Sequence, residues 1–99
     1  MSAEIYRYTF AASVPFEEAE ASLLLAVMAA ESLHGQAQVR LDAGHVLDAG
    51  KRQLVIDAGT QVGRELNRLF LGFVSREFGE DSFQVERVNA HHQPQGASA

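Results

Sequence analysis

The stretch QAQVRLDAGHVLDAGKRQLVIDA, residues 36–58, decides how the chain is read. Its first half alternates, with Ala37, Val39, Leu41, Ala43, His45 and Leu47 on one side and Gln38, Arg40, Asp42, Gly44 and Val46 on the other. Alternation sustained over that many residues is the signature of a half-buried strand. Asp48-Ala49-Gly50-Lys51 supplies a tight turn in which Gly50 is free to take a positive φ, and Arg52 to Ala58 returns as the next strand. With Ala49 and Gly50 as the loop, the register predicts His45 opposite Leu54, Ala43 opposite Ile56 and Leu41 opposite Ala58. On the other face it sets Asp42 opposite Asp57. Each position on the first face is matched so that it packs against an apolar partner, which favours that pairing over a one-residue slip.

Outward from this hairpin, the flanking segments carry their own signals. Glu4 to Ala12 alternates, with Tyr6, Tyr8 and Phe10 on one face and Ile5, Arg7 and Thr9 on the other, and reads as a strand. Pro15 suits the first turn of a helix, and Glu17, Glu18 and Glu20 complement the positive end of its dipole. That helix runs to about His34, where Gly35 is placed to end it. Beyond the hairpin, Thr60 is a good N-cap for a helix over 61–78, with Val62, Leu66, Leu69, Phe70 and Phe73 as its core stripe. Gly79 stops it, and Phe83 to Val88 forms the last strand. Residues 89–99 are polar and aperiodic, with Pro94 and Gly96, so they read as a tail on a single domain of residues 1–88.

The order strand–helix–strand–strand–helix–strand resembles the ferredoxin-like βαββαβ sandwich, an α+β fold. That resemblance implies an antiparallel sheet of order 4-1-3-2 with two helices on one face, each crossover being right-handed. It is a resemblance of element order, and so many functions share that arrangement that it implies none in particular.

Bulk composition narrows the function classes. At 46% hydrophobic and 21% charged, the chain belongs with ordinary globular domains. The absence of cysteine excludes disulfides, thiolate nucleophiles and cysteine-held metal. A net charge of −5 argues against nucleic acid or an anionic membrane as the main partner, since both select positive footprints. The longest apolar run, Leu23 to Ala30, is too short to span a bilayer, and Met1 to Arg7 lacks the features of a signal peptide. A cytoplasmic protein without a cofactor motif is the expectation.

Three polar groupings stand as candidate sites. Glu31 and His34 form an E-x-x-H pair on one helix face, the spacing of some metal ligands, although a histidine at a helix end also simply complements the dipole. The adjacent His91 and His92 read as solvated tail. Thr60, Gly63 and Arg64 place a hydroxyl, an open backbone and a cation at a helix N-terminus, where anions are attracted; a plain cap with close helix packing explains the same residues. Arg7, Arg40, Asp42, Asp57 and Glu86 are expected on the uncovered sheet face. There Asp42, Asp57 and Arg7 are the candidate catalytic residues of a small enzyme, against a solvated lattice of ion pairs. The same face is a poor platform for RNA, because Gln53 to Asp57 contains no aromatic residue to stack a base.

The fourth grouping is apolar. At 100° per residue the first helix has one stripe of Phe16, Ala19, Leu23, Val27 and Ala30, and a second, nearly opposite, of Ala21, Leu24, Leu25 and Met28. The second helix adds Leu71, Val74 and Phe78 beyond its core stripe. This exceeds what a two-layer sandwich covers, so the helical face is expected to be an interface built on Leu24, Leu25, Met28, Leu71 and Phe78. A homodimer is the commonest solution, with another protein partner as the variant. The leading expectation is therefore a non-enzymatic, self-associating binding or accessory domain, with a small enzyme or ligand-binding domain on the open sheet face as the alternative.

Overall fold

A computed structural model describes residues 4–89. The elements run β1 (Glu4–Phe10), α1 (Phe16–His34), α2 (Gln36–Asp42), β2 (His45–Asp48), β3 (Gln53–Asp57), α3 (Gln61–Phe78) and β4 (Phe83–Asn89), with a short 3-10 turn, Glu80–Ser82, leading into β4. The last strand reaches Asn89, whereas His91, His92 and the rest of the expected tail lie outside the described residues. The strands form one open antiparallel sheet of order β2-β3-β1-β4, which read from the β4 edge is 4-1-3-2.

The stretch read as a long strand divides in two. Gln36 to Asp42 is a helix, and only His45 to Asp48 pairs with β3. The alternation was a coincidence of composition: Val39 and Ala43, four apart, are buried, while Ala37 and Leu41 are exposed. That is the spacing of a helix face, and Gln38 donating to the Asp42 carboxylate one turn on supports it. Gly35, at φ 88°, separates α1 from α2 and donates its N–H to the Glu31 carbonyl at 2.8 Å.

The hairpin register also differs. His45 opposes Ile56 and Leu47 opposes Leu54, because the loop contains Ala49 to Arg52 and not two residues alone. A shift of two keeps every side chain on its expected face, but it removes Asp42 from the sheet. The loop closes through Arg52, at φ 56°. The guanidinium of Arg52 donates to the carbonyls of Phe10, at 3.2 Å, of Ala11, at 2.7 Å, and of Val14. Those three acceptors belong to the β1–α1 connection, so one side chain ties the hairpin loop to it.

All three helices cover one face of the sheet. Tyr8, Phe10, Leu54, Ile56 and Phe83 point from the sheet into a core with Leu23, Ala26 and Ala30 of α1, Val39 of α2, and Leu66, Phe70 and Val74 of α3. Tyr8 is fully buried, lies edge-on to Phe70 with centroids 4.8 Å apart, and donates its hydroxyl to Asn67 Oδ1 at 2.6 Å. Burial, with Tyr6 adding to it, pushes the Tyr8 phenol above its ordinary pKa and keeps it a neutral donor. The N-terminus of α3 comes down hard on the end of β3. A Cβ at Gly63 would lie 2.2 Å from the Asp57 carbonyl oxygen, whereas one at Gly72, later in the same helix, would meet nothing within 4 Å.

The same substitution therefore has opposite effects at these two glycines. Gly63→Ala forces backbone apart and should destabilise by roughly 1–3 kcal/mol or more, the range for overpacked cores. Gly72→Ala only lowers the freedom of the unfolded chain and should stabilise by about 0.5–1 kcal/mol. Urea unfolding of the two variants beside the parent checks both signs.

Candidate functional site

The outward face of α1 is the surface that the fold leaves unexplained. The helix buries Ala19, Ser22, Leu23, Ala26 and Ala30, and this small-residue stripe lets it lie close to its neighbours. Opposite that stripe, Leu24, Leu25 and Met28 are 58%, 57% and 62% exposed. At 100° per residue these three and Ala21 share one ridge, so they form a single patch. On the side toward α3, the exposed Leu33 borders a depression of about 210 Å³ with Glu65, Arg68 and Leu69.

Charge is divided across the same layer. The first helix carries Glu17, Glu18, Glu20 and Glu31 with no lysine or arginine, whereas α3 presents Arg64, Arg68 and Arg76 to solvent beside the exposed Glu77 and the half-buried Glu65. The outer surface of α1 is thus acidic, and that of α3 is mixed with a small excess of positive charge.

Two expected members of this face sit elsewhere. Phe78 is half-buried and packs against the core, its ring 6.5 Å from that of Phe10. Leu71 is only 37% exposed and follows Asn67 by one turn, on the flank whose Asn67 reaches down to Tyr8. The flank that meets α1 carries Leu69 instead. The exposed ridge is therefore a property of α1, with α3 contributing charge.

Of the catalytic candidates, Asp57 and Arg7 stay on the open face as diagonal neighbours across β1 and β3, whereas Asp42 leaves it. Asp42 lies at the end of α2, where its carboxylate accepts from Gln38 and its carbonyl accepts from the Thr60 hydroxyl. Asp57 opposes Ile5 on β1 and has no residue of β2 opposite it; its carboxylate accepts the Gly59 N–H at 2.9 Å. Arg7 is ion-paired with Glu86 across the strands at 2.9 Å. Arg40 is on α2 and leaves the sheet as well. The open face presents Ile5, Val46, Val55 and Val88 around the Arg7–Glu86 pair, with Asp57 at the end of β3. Tyr6 and Tyr8 both turn toward the helices, so among the described residues this face has no aromatic ring for a base to stack on.

The remaining candidates have structural partners. Thr60 accepts the Gly63 N–H at 3.0 Å as an N-cap, Gly63 is buried against β3, and Arg64 is exposed one residue on. His34 does not turn to Glu31. Its Nε2 lies 2.6 Å from Glu65 Oε1 on α3, and because a carboxylate only accepts, the proton sits on that nitrogen. Among the described residues no three histidine, cysteine or acidic side chains cluster for a metal, and no helix is long and apolar enough to cross a membrane.

Comparison with known proteins adds no assignment: no family model, curated protein or solved structure matches the chain.

The His34–Glu65 bridge was missed because its partners are far apart in sequence and neither falls in a motif. It has a measurable signature. Hydrogen bonds from His34 and Gln61, opposed by partial burial and aided by the charges of His34 and Arg68, hold the Glu65 carboxyl below its ordinary pKa. A depressed folded pKa stabilises above the unfolded value, and that contribution is lost as pH falls through the folded one. Denaturant midpoints measured below the ordinary glutamate range should therefore fall more steeply with acid in the parent than in Glu65→Gln.

Proposed function

We propose that this chain is a self-associating, non-enzymatic binding domain whose α1 ridge packs against a second copy of itself. The observation that carries this reading is the exposure of Leu24, Leu25 and Met28 together on one outward ridge. Burying a side chain of that size contributes roughly 1.5–3 kcal/mol, which is the gain left unused in a monomer. A second copy suits the surface because of its charge. In a two-fold arrangement the acidic α1 of each protomer faces the arginine-bearing flank of its partner's α3, and like charges are kept apart. Such an interface is isologous, needs no third component, and draws specificity from the charges while the apolar ridge supplies most of the affinity.

The skeleton is also read as ferredoxin-like, with α2 as an added turn of helix. Central β1 and β3, each followed by a long helix, support that reading. An enzyme on the open sheet face is the weaker reading, because Asp42 leaves the sheet and Arg7 is already paired with Glu86.

Light scattering after size exclusion tests the dimer. The parent is expected at twice the chain mass at tens to hundreds of micromolar, and Leu25→Glu with Met28→Glu is expected at the chain mass with unchanged circular dichroism. Arg68→Glu should weaken the dimer without abolishing it, and more so at low salt. A parent that stays at the chain mass throughout that concentration range removes the proposal.

A further inference from the structure

A second feature of the helical layer lies beside the ridge and is independent of it. Between α1, α2 and the start of β2 is a cleft of about 420 Å³, lined by Val27, Glu31, Val39, Arg40, Ala43, Gly44 and His45. Its volume falls in the range of small-molecule sites, which combine an apolar lining with a few polar groups. Val39 and Ala43 are buried and Val27 is half-buried, so the floor is aliphatic. The polar groups come from three separate elements: Glu31 from α1, Arg40 from α2 and His45 from β2.

These polar groups are little engaged by the described residues. Among the described residues, Glu31 and Arg40 form no salt bridge with each other or with any other side chain. The one contact of the His45 ring is a long one, 3.4 Å from Nδ1 to the Ala43 carbonyl. Other depressions differ in this respect. Beside Leu33, the carboxylate of Glu65 is already taken by His34 and Gln61. The one between β1 and β4, near Thr9 and Gln84, has Asp81 as its one charged side chain. The one on the open face, over Ile5, Val46 and Val55, shares His45, but its one carboxylate, Asp57, already accepts the Gly59 N–H. Of these four, the α1–α2–β2 cleft is the one that holds a carboxylate and a guanidinium apart, neither engaged among the described residues, across an apolar floor.

We propose that this cleft binds a small aliphatic carboxylic acid carrying a hydrogen-bond donor on the adjacent carbon, as in an amino acid or a hydroxy acid. The carboxylate is received by the Arg40 guanidinium, whose planar fork matches its two oxygens, with His45 beside it. The ammonium or hydroxyl donates to Glu31, and the hydrocarbon portion lies over Val27, Val39 and Ala43. Such a ligand joins the two charges that the fold leaves separate. It also adds contacts between α2 and the body of the domain.

The test is an amide proton–nitrogen NMR titration of the full chain with four probes of similar shape: L-leucine, 2-hydroxyisocaproate, isocaproate and isoamylamine. Saturable shifts clustered at residues 27–31 and 39–45 are expected from leucine, the hydroxy acid or both, and which of them binds identifies the source of the donor. Isocaproate should bind roughly tenfold more weakly, as expected for one lost charge-assisted hydrogen bond, and isoamylamine should not bind. Arg40→Gln, whose side chain is exposed and whose spectrum reports folding directly, should lower affinity by at least about tenfold. The absence of saturable shifts from leucine and the hydroxy acid overturns the proposal. So does equal binding of isocaproate or isoamylamine, or binding unaffected by Arg40→Gln in a folded protein.

Discussion

Tyr8 joins the sheet to its helical cover. Its ring is buried on the central strand and meets Phe70 edge-on, while its hydroxyl is answered by Asn67 three residues before Phe70 on α3. A phenol in that position is tolerated only because its one polar atom has a partner, and the partner is on the element the ring packs against. The contact therefore specifies the rotation of α3 as well as its distance. Gly63 does the same at the helix N-terminus, where the absence of a side chain lets the backbone rest against Asp57. With α3 held at both points, α1 lies beside it through Ala26 and Ala30, and the two are bridged at one end by His34 and Glu65.

That arrangement leaves little freedom in what α1 shows to solvent. Once Ala19, Leu23, Ala26 and Ala30 face inward, the ridge of Leu24, Leu25 and Met28 must face outward, because the helix period allows nothing else. The apolar surface is thus a consequence of how the core is satisfied, and it is not a loose segment awaiting a better fit. The acidic flank on α1 and the arginines on α3 are set by the same two rotations. The cleft beneath α2 follows from a different cause: Gly35 turns the chain so that a short helix leans on α1 without closing the space between them.

Most of the framework was legible in the chain. Both long helices announce themselves by apolar period and by terminal glycines, and β1 by its alternating aromatics. Thr60 was readable as a cap, and it is one. Residues 36–43 were not legible, because Ala37, Val39, Leu41 and Ala43 satisfy a period of two as well as a period of four. The decision lay outside the segment, in the core space available to Val39 and Ala43 together. That misreading, with a loop taken two residues too short, placed Asp42 opposite Asp57, from which the catalytic candidates followed. The α1 ridge was readable because it depends on one helix alone. Leu71 is exposed as expected, whereas Phe78 is half-buried because its surroundings include Phe10 of β1. Nothing local marked Arg52 as the residue that reaches three carbonyls of the first connection, or His34 as the partner of Glu65.

The strand order has a further consequence, for the sequence of events in which the molecule forms. β1 precedes the other three strands and is central, yet it does not pair with β2, the next strand in the chain: its partners are β3 and β4, and Glu4 is matched with Asn89. Tyr8 and Phe10 therefore leave the ribosome long before the residues that cover them. Until α3 and β4 are made, the most apolar strand face is open on a tethered chain, while α1 and the α2–β2–β3 segment can form by local contacts. Such non-local closure is slow relative to helix and hairpin formation. During that interval the aromatic face of β1, and not the helical ridge, is the surface most exposed to wrong partners, so a nascent-chain chaperone that favours aromatic segments would meet this domain at β1.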